Sequence, residues 1–377
     1  FLHSKYSVGG GEIKKTIPCY VLSREKLQKA GKMMNMKKPI AASMLSLFVT
    51  LGITSSPALA ITQQQAIEIA LYKNAQAQIE QQISERYSEG LKAYTAKDYN
   101  KSIRCLAVSA VENKFGNKRD YNIALGDSYY KLRNYQRALT YLKKSYSLGG
   151  QSLPVVNIAM GMSYYALKDY NQAATYLQRG MSSSLADADV LWALAVSSES
   201  IGNKQLTMSA LTTLINRFPD YKADAYITVG VTYLDNQNNN AALSVFKQGL
   251  NRFSDNADLL YWVGHVYYLN GNYETAIPYL EKSNALMPNN IDTLYDLGGS
   301  YLIYDRLDEA AACAELMQKI DPYNNKTQDL YQAVQQKIMQ KQMEQQMQID
   351  MINQQTQEAL EMANVMSSHD NMPLGIM

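Results

Sequence analysis

One short phrase returns seven times along this chain of 377 residues. It reads GLKAYTAKDYNKSI from Gly90, LGDSYYKLRNYQRAL from Leu125, MGMSYYALKDYNQAA from Met160 and VGHVYYLNGNYETAI from Val263. Weaker copies are LAVSSESIGNKQLTM from Leu194, VGVTYLDNQNNNAAL from Val229 and LGGSYLIYDRLDEAA from Leu297. A small residue marks each copy, at Gly90, Gly126, Gly161, Ala195, Gly230, Gly264 and Gly298, in steps of 36, 35, 34, 35, 34 and 34. A second small residue follows twelve positions later, at Ser102, Ala138, Ala173, Thr207, Ala242, Ala276 and Ala310. A unit this short cannot bury its apolar face alone, so its copies must stack into a one-dimensional array.

Each unit reads as a helical hairpin. Between its two small positions lies a turn such as Lys97-Asp98, Lys168-Asp169, Gly202-Asn203 or Gly271-Asn272, which ends one helix and starts another. The small residues let the helices approach closely. Tyr129, Tyr135 and Leu142 in the second copy, like Tyr267, Tyr273 and Leu280 in the sixth, fall at helical spacing to fill the seam. Pro219, Pro288 and Pro322 close copies four, six and seven. This pattern resembles the tetratricopeptide repeat over roughly residues 83 to 322. The resemblance implies an all-α fold, a right-handed superhelical solenoid of about seven hairpins, with the first helix of each lining a concave groove and no catalytic activity. Copies one and four depart from the pattern, with Ser102 and Leu106 in one and Ala195, Ser198 and Thr207 in the other, and are expected to pack less regularly.

Carried over copy by copy, the family's groove positions fall on Tyr87, Leu91, Tyr94, Ile123, Tyr130, Ile158 and Tyr165, then on Trp192, Ile227, Tyr261, His265, Tyr268 and Tyr295. The candidate partner-binding residues are Tyr87, Tyr94, Tyr130, Tyr165, Trp192, Tyr261, His265, Tyr268 and Tyr295, with Trp192 and Tyr261 foremost. Tyr and Trp offer large rigid area with a polar tip, which suits a contact surface. The same side chains would also suit the seam between hairpins, and both readings stay open at this point. Family members that clamp a terminal carboxylate do so with Lys and Asn; Tyr87, Leu91, Ile123 and Asp127 stand in those places, so that ligand class is not implied.

The flanks carry separate signals. Residues 1–35 read as an extension upstream of a start at Met33, Met34 or Met36, and residues 36–60 as a signal peptide. Lys37-Lys38 precede an apolar run from Ile40 to Ile53, and small residues stand at Ala58 and Ala60. Cleavage after Ala60 and a periplasmic or secreted location are expected, with an uncleaved membrane anchor as the alternative. Ile61, not Cys, follows the cleavage point, so no lipid anchor is expected. Taking nine Lys/Arg and two Asp/Glu from totals of 36 and 34 leaves 27 and 32, a net charge near −5 with no basic patch for nucleic acid. Residues 61–83, with Thr62 as N-cap and apolar Ala66, Ile69, Ala70 and Ile83, predict an N-terminal capping helix before a solenoid over 84–322.

From Thr327 to Ala363 the chain is rich in Gln and Met and lacks Gly and Pro, predicting a long C-terminal capping helix within 323–365, ahead of a disordered tail over 366–377. Met339, Met343, Met347 and Met351 form a stripe that could pack on the last repeat, pair with a second chain, or bind copper(I) through thioethers.

Catalytic chemistry has little to build on. Past the leader the only histidines are His265 and His369, and no HExxH, GxSxG or P-loop occurs. Cys105 and Cys313 lie 208 positions apart near opposite ends of the array and are expected as buried thiols, not a bridge. Asp224, Asp258 and Asp292 stand at helix starts, where a carboxylate meets the positive end of the dipole. No catalytic residue, cofactor or metal site is expected. The expected role is a non-enzymatic scaffold or assembly factor of the cell envelope that holds an extended or helical segment of an envelope protein. The alternatives are a structural protein dimerising through its C-terminal helix and a copper-binding periplasmic chaperone.

Overall fold

The computed structural model describes residues 63–369. The signal peptide and upstream extension read at 1–60, and residues 370–377 of the tail read at 366–377, lie outside the described residues, while residues 366–369, expected to be disordered, are helical. The chain forms two units, residues 1–79 and residues 80–377. The described part of the first belongs to one helix, α1 (Gln63–Thr95), which continues past residue 83 because no Gly or Pro interrupts residues 63–89. The capping helix read at 61–83 and the first helix of copy one are therefore a single element.

In the second unit copy one pairs the end of α1 with α2 (Tyr99–Leu106) and α3 (Ser109–Phe115). Copies two to four pair α4 (Arg119–Lys131) with α5 (Tyr135–Ser145), α6 (Pro154–Ala166) with α7 (Tyr170–Gly180), and α8 (Ala188–Ser200) with α9 (Lys204–Arg217). Copies five to seven pair α10 (Ala223–Asp235) with α11 (Asn239–Leu250), α12 (Ala257–Leu269) with α13 (Tyr273–Leu286), and α14 (Ile291–Ile303) with α15 (Leu307–Ile320). A last helix, α16 (Asn325–His369), follows, and no strand occurs among the described residues. The fold is an all-α helical-repeat solenoid.

Three local rules recur along the hairpins, each counted from the first small residue. Seven positions on, the chain turns through left-handed backbone, at Lys97, Arg133, Lys168, Gly202, Gln237, Gly271 and Asp305. One position later an Asp or Asn stands before the second helix in six copies, and in five of them (Asp98, Asn134, Asp169, Asn203 and Asn238) its side chain accepts a bond from the backbone N–H three residues on. Sixteen positions on, a large side chain lies across the small one: a Cβ on Gly126 would come within 2.6 Å of Leu142, one on Gly264 within 2.7 Å of Leu280, and one on Gly230 within 2.2 Å of Phe246. All seven second small residues are buried.

Copy seven breaks the third rule, since Ala314 occupies its sixteenth position. Leu330 of α16 fills the slot instead, 2.6 Å from where a Gly298 Cβ would stand, and Leu330 and Val334 are both buried. The helix caps the array with this first stretch only. Every described side chain from residue 342 onward is exposed. The reading of the methionine stripe as packing on the last repeat is corrected here, because Met339, Met343, Met347 and Met351 are 62, 56, 58 and 58% exposed. Four residues advance a helix by about 400°, so a stripe at that spacing winds off any fixed neighbour.

Irregularity falls on copy one, whose second helix divides at Ala107 and Val108. Copy four, expected to be irregular too, is an ordinary hairpin: Ser198 Oγ donates to the Leu194 carbonyl within its own helix and Thr207 Oγ1 to the carbonyl of Asn203, the N-cap of its helix, so the replacements leave no polar group unmet. Cys105 and Cys313 are both buried thiols, and burial pushes the Cys313 thiol up to about 11.

First helices of successive copies touch one another directly, α4 with α6, α6 with α8, α10 with α12 and α12 with α14. They stand closer together than the second helices and form the inner wall of the array. Among copies two to seven the junction between copies four and five is the exception. There α9 and α10 make the thinnest of the contacts between a second helix and the first helix that follows it, α8 and α10 scarcely meet, and a cavity of about 350 Å³ opens.

Candidate functional site

The wall of first helices is built from a repeated set of positions. Residues six and three before the small residue, and one and four after it, follow the three- and four-residue spacing that puts side chains on one helix face. The nine candidate side chains occupy three of these positions, and all nine are half-buried. They neither project freely nor fill the core. Tyr94, Tyr130, Tyr165 and Tyr268 each tilt against the first aromatic of their own second helix, Tyr99, Tyr135, Tyr170 and Tyr273, with ring centroids 6.4, 6.5, 6.2 and 5.3 Å apart. Tyr87 stacks on Phe115 at 4.1 Å, Trp192 meets Tyr221 at 6.4 Å with the Lys222 ammonium 4.4 Å from its ring, and Lys326 lies 5.5 Å from Tyr295.

At one end of the wall, Tyr94 and Tyr130 line a cavity of about 370 Å³ with Tyr99, Lys131, Ile158 and Asp127. Asp127 is only 6% exposed, and the Tyr94 hydroxyl donates to its Oδ2 at 3.0 Å. Burial raises the Asp127 carboxyl above the usual carboxylate range, opposed by Lys131 and by the tyrosine bond; it also lifts Tyr130 to about 12.

Copies six and seven hold a second buried carboxylate. His265 Nδ1 lies 2.6 Å from Asp296 Oδ2, and Asp296 is 2% exposed. Tyr261 stacks on the imidazole at 5.3 Å and Trp262 meets it edge-on at 5.6 Å. Burial raises the Asp296 carboxyl, and the imidazole opposes that rise. His265 is thus anchored across a copy junction as well as lining the wall. Sequence reading named His265, Tyr261 and Tyr94 and passed over their partners Asp296, Trp262 and Asp127 as site residues. The available signal for the two acids was that each stands at a repeat position where no other copy carries one.

Charge is sorted between the layers. The first helices of copies three to seven, α6, α8, α10, α12 and α14, contain seven Asp/Glu and no Lys or Arg. Asp120, Asp189, Asp224, Asp258 and Asp292 all stand six positions before the small residue and are exposed along the rim. Asp189 accepts a bond from the Tyr221 hydroxyl at 2.5 Å and Asp292 pairs with Lys326 at 2.6 Å. Their placement in the first helical turn suits the dipole as expected, and the same placement makes the rim anionic. Among the described residues no cluster of His, Cys, Asp or Glu could hold a metal ion, and no helix is long and apolar enough to cross a membrane.

The chain matches the tetratricopeptide-repeat family at residues 120–148 and 159–179, and the family described as anaphase-promoting complex, cyclosome, subunit 3 at residues 235–317. No curated protein matches it. Among solved structures it is similar to YrrB, a TPR protein with an unusual peptide-binding site, at 18% identity, covering 50% of this chain and 95% of that one with a TM-score of 0.42. PilF of Pseudomonas aeruginosa matches at 16% identity, 56% and 95% coverage and a TM-score of 0.40. A thermophilic TPR protein of Thermus thermophilus matches at 24% identity, 48% and 98% coverage and a TM-score of 0.32.

Proposed function

The chain is a tetratricopeptide-repeat protein, and we propose that it is a non-catalytic scaffold or assembly factor holding a segment of another protein against the wall of its first helices. The carrying observation is the row of nine half-buried aromatic and imidazole side chains along that wall. Each is braced by a neighbour yet keeps an open face, so binding would cost little side-chain ordering. Residues 36–60 support a role in the cell envelope, with an envelope protein as the partner. The test is carbodiimide crosslinking and pulldown from envelope extract, comparing the natural chain with the pair Trp192→Ala and Tyr261→Ala. A partner captured by the natural chain and lost with the pair is expected. Recovery of the same partner in equal yield would remove the wall from the account.

A second reading, self-association through α16, has its own observation: the exposed run beyond residue 342, with Met343, Ile349, Ile352 and Leu360 all more than half exposed. Light scattering on the full chain and on one ending at Gln340 separates the readings. A dimer that becomes monomeric supports it, and two monomers end it.

A further inference from the structure

We propose that the cavity between copies four and five is a pocket for a Lys or Arg side chain of the partner segment, so that the scaffold selects cationic sequence. This deepens the reading of the wall as a binding surface and rests on it. The floor is apolar, from Ile227 and Val231, with Thr207 beside them, and Glu199 and Asp235 stand at its edge. Neither carboxylate forms an ion pair among the described residues. Both lie in the last turn of a first helix, Glu199 in α8 and Asp235 in α10. That is the end where the helix dipole disfavours a carboxylate and favours a cation, and neither helix has a basic residue there. Two helix C-termini and two unpaired acids therefore converge on one cavity. Lys204, from the second helix α9, is the only cation lining it and pairs with neither acid.

The shape of the pocket chooses among cations. An apolar floor suits the methylene stem of a long side chain, whose charged head then reaches the rim. A bare metal ion would instead need several converging oxygens. Arg fits best, since its planar fork can address carboxylates with paired hydrogen bonds. The surroundings agree, because the first helices of copies three to seven supply seven carboxylates and no competing Lys or Arg. Such a field raises the encounter rate of a cationic segment and repels an anionic one.

Fluorescence anisotropy on the full chain tests this with equal-length labelled peptides that alternate Ala with Arg, Gln or Glu. The Arg peptide should bind about tenfold or more tightly than the others, and its affinity should fall with added salt. Glu199→Gln combined with Asp235→Asn should weaken it about tenfold, whereas Glu274→Gln with Glu315→Gln, removing the same charge from second helices, should not. Equal weakening by both pairs would reduce the effect to net charge and overturn the pocket. If the Gln peptide binds as well as the Arg peptide and is lost with Trp192→Ala, the cation reading falls and the wall reading stands. If no peptide binds, or if the Arg peptide ignores both the pocket pair and Trp192→Ala, both fall.

Discussion

Burial holds the Asp127 carboxyl above the usual carboxylate range, and Lys131 and the Tyr94 hydroxyl offset only part of the cost. A carboxyl whose folded pKa exceeds its unfolded value binds its proton more readily folded than unfolded. Its burden is absent below about pH 4 and grows as pH rises through the folded value. Asp127→Asn, which keeps an oxygen for the Tyr94 bond, should therefore raise Tm at pH 7 and lose that advantage near pH 3; equal gains at both would contradict the assignment. Gly271 is the complementary case, with φ of 75° in a turn open to solvent. Gly271→Lys should cost about 1 kcal/mol in urea denaturation, and no more, because five other copies tolerate a side chain at this step. The turns were legible in the sequence because each is set by three or four adjacent residues. The buried acids were not, since Asp296 finds His265 31 positions away and only stacking brings them together.

Helices rather than residues decide where the array ends. Leu330 substitutes for the missing sixteenth-position side chain of copy seven, so its removal opens a cavity between α14, α15 and α16. Leu330→Ala should cost about 2–5 kcal/mol in chemical denaturation, whereas Met343→Ala, on the exposed run, should cost about 0.5 kcal/mol or less. A chain ending at Gln340 should stay as stable as the full one, while a chain ending at Asn324 should lose cooperative unfolding of copy seven. Matching losses from the two truncations would mean that the exposed run packs after all. The sequence predicted one long helix here from its lack of Gly and Pro, and that reading needed no tertiary information. Which methionines it buries did need it, because a flexible apolar side chain suits a seam and an open face equally.

Across the molecule, like charges share one wall. Seven carboxylates on the four neighbouring first helices of copies four to seven repel one another, and only a few find a partner on the same chain. Salt should screen that repulsion more than it weakens the exposed ion pairs, each worth about 0–1 kcal/mol. Raising NaCl from low to moderate concentration should therefore raise Tm by a few degrees. A fall would show that the pairs dominate. This sorting was present in the sequence and invisible there, because the first helices alternate along the chain with second helices that carry all the helical Lys and Arg of copies three to seven, and the charges sum to an unremarkable net value. Only the stacking separates the layers. The repeat period, by contrast, was fully legible, since it depends on self-similarity and on no particular contact.

The absence of lysine from the first helices of copies three to seven has a practical side. Reagents that join one ε-amine to another have nothing to grasp there, and trypsin has nothing to cut: from Arg179 the next site is Lys204, and from Arg252 it is Lys282. A survey of interactions by amine crosslinking would report on this stretch of the wall only through lysines at its edges, such as Lys204, Lys222 and Lys326. Zero-length coupling of its carboxylates to a partner's lysines reads the same surface directly.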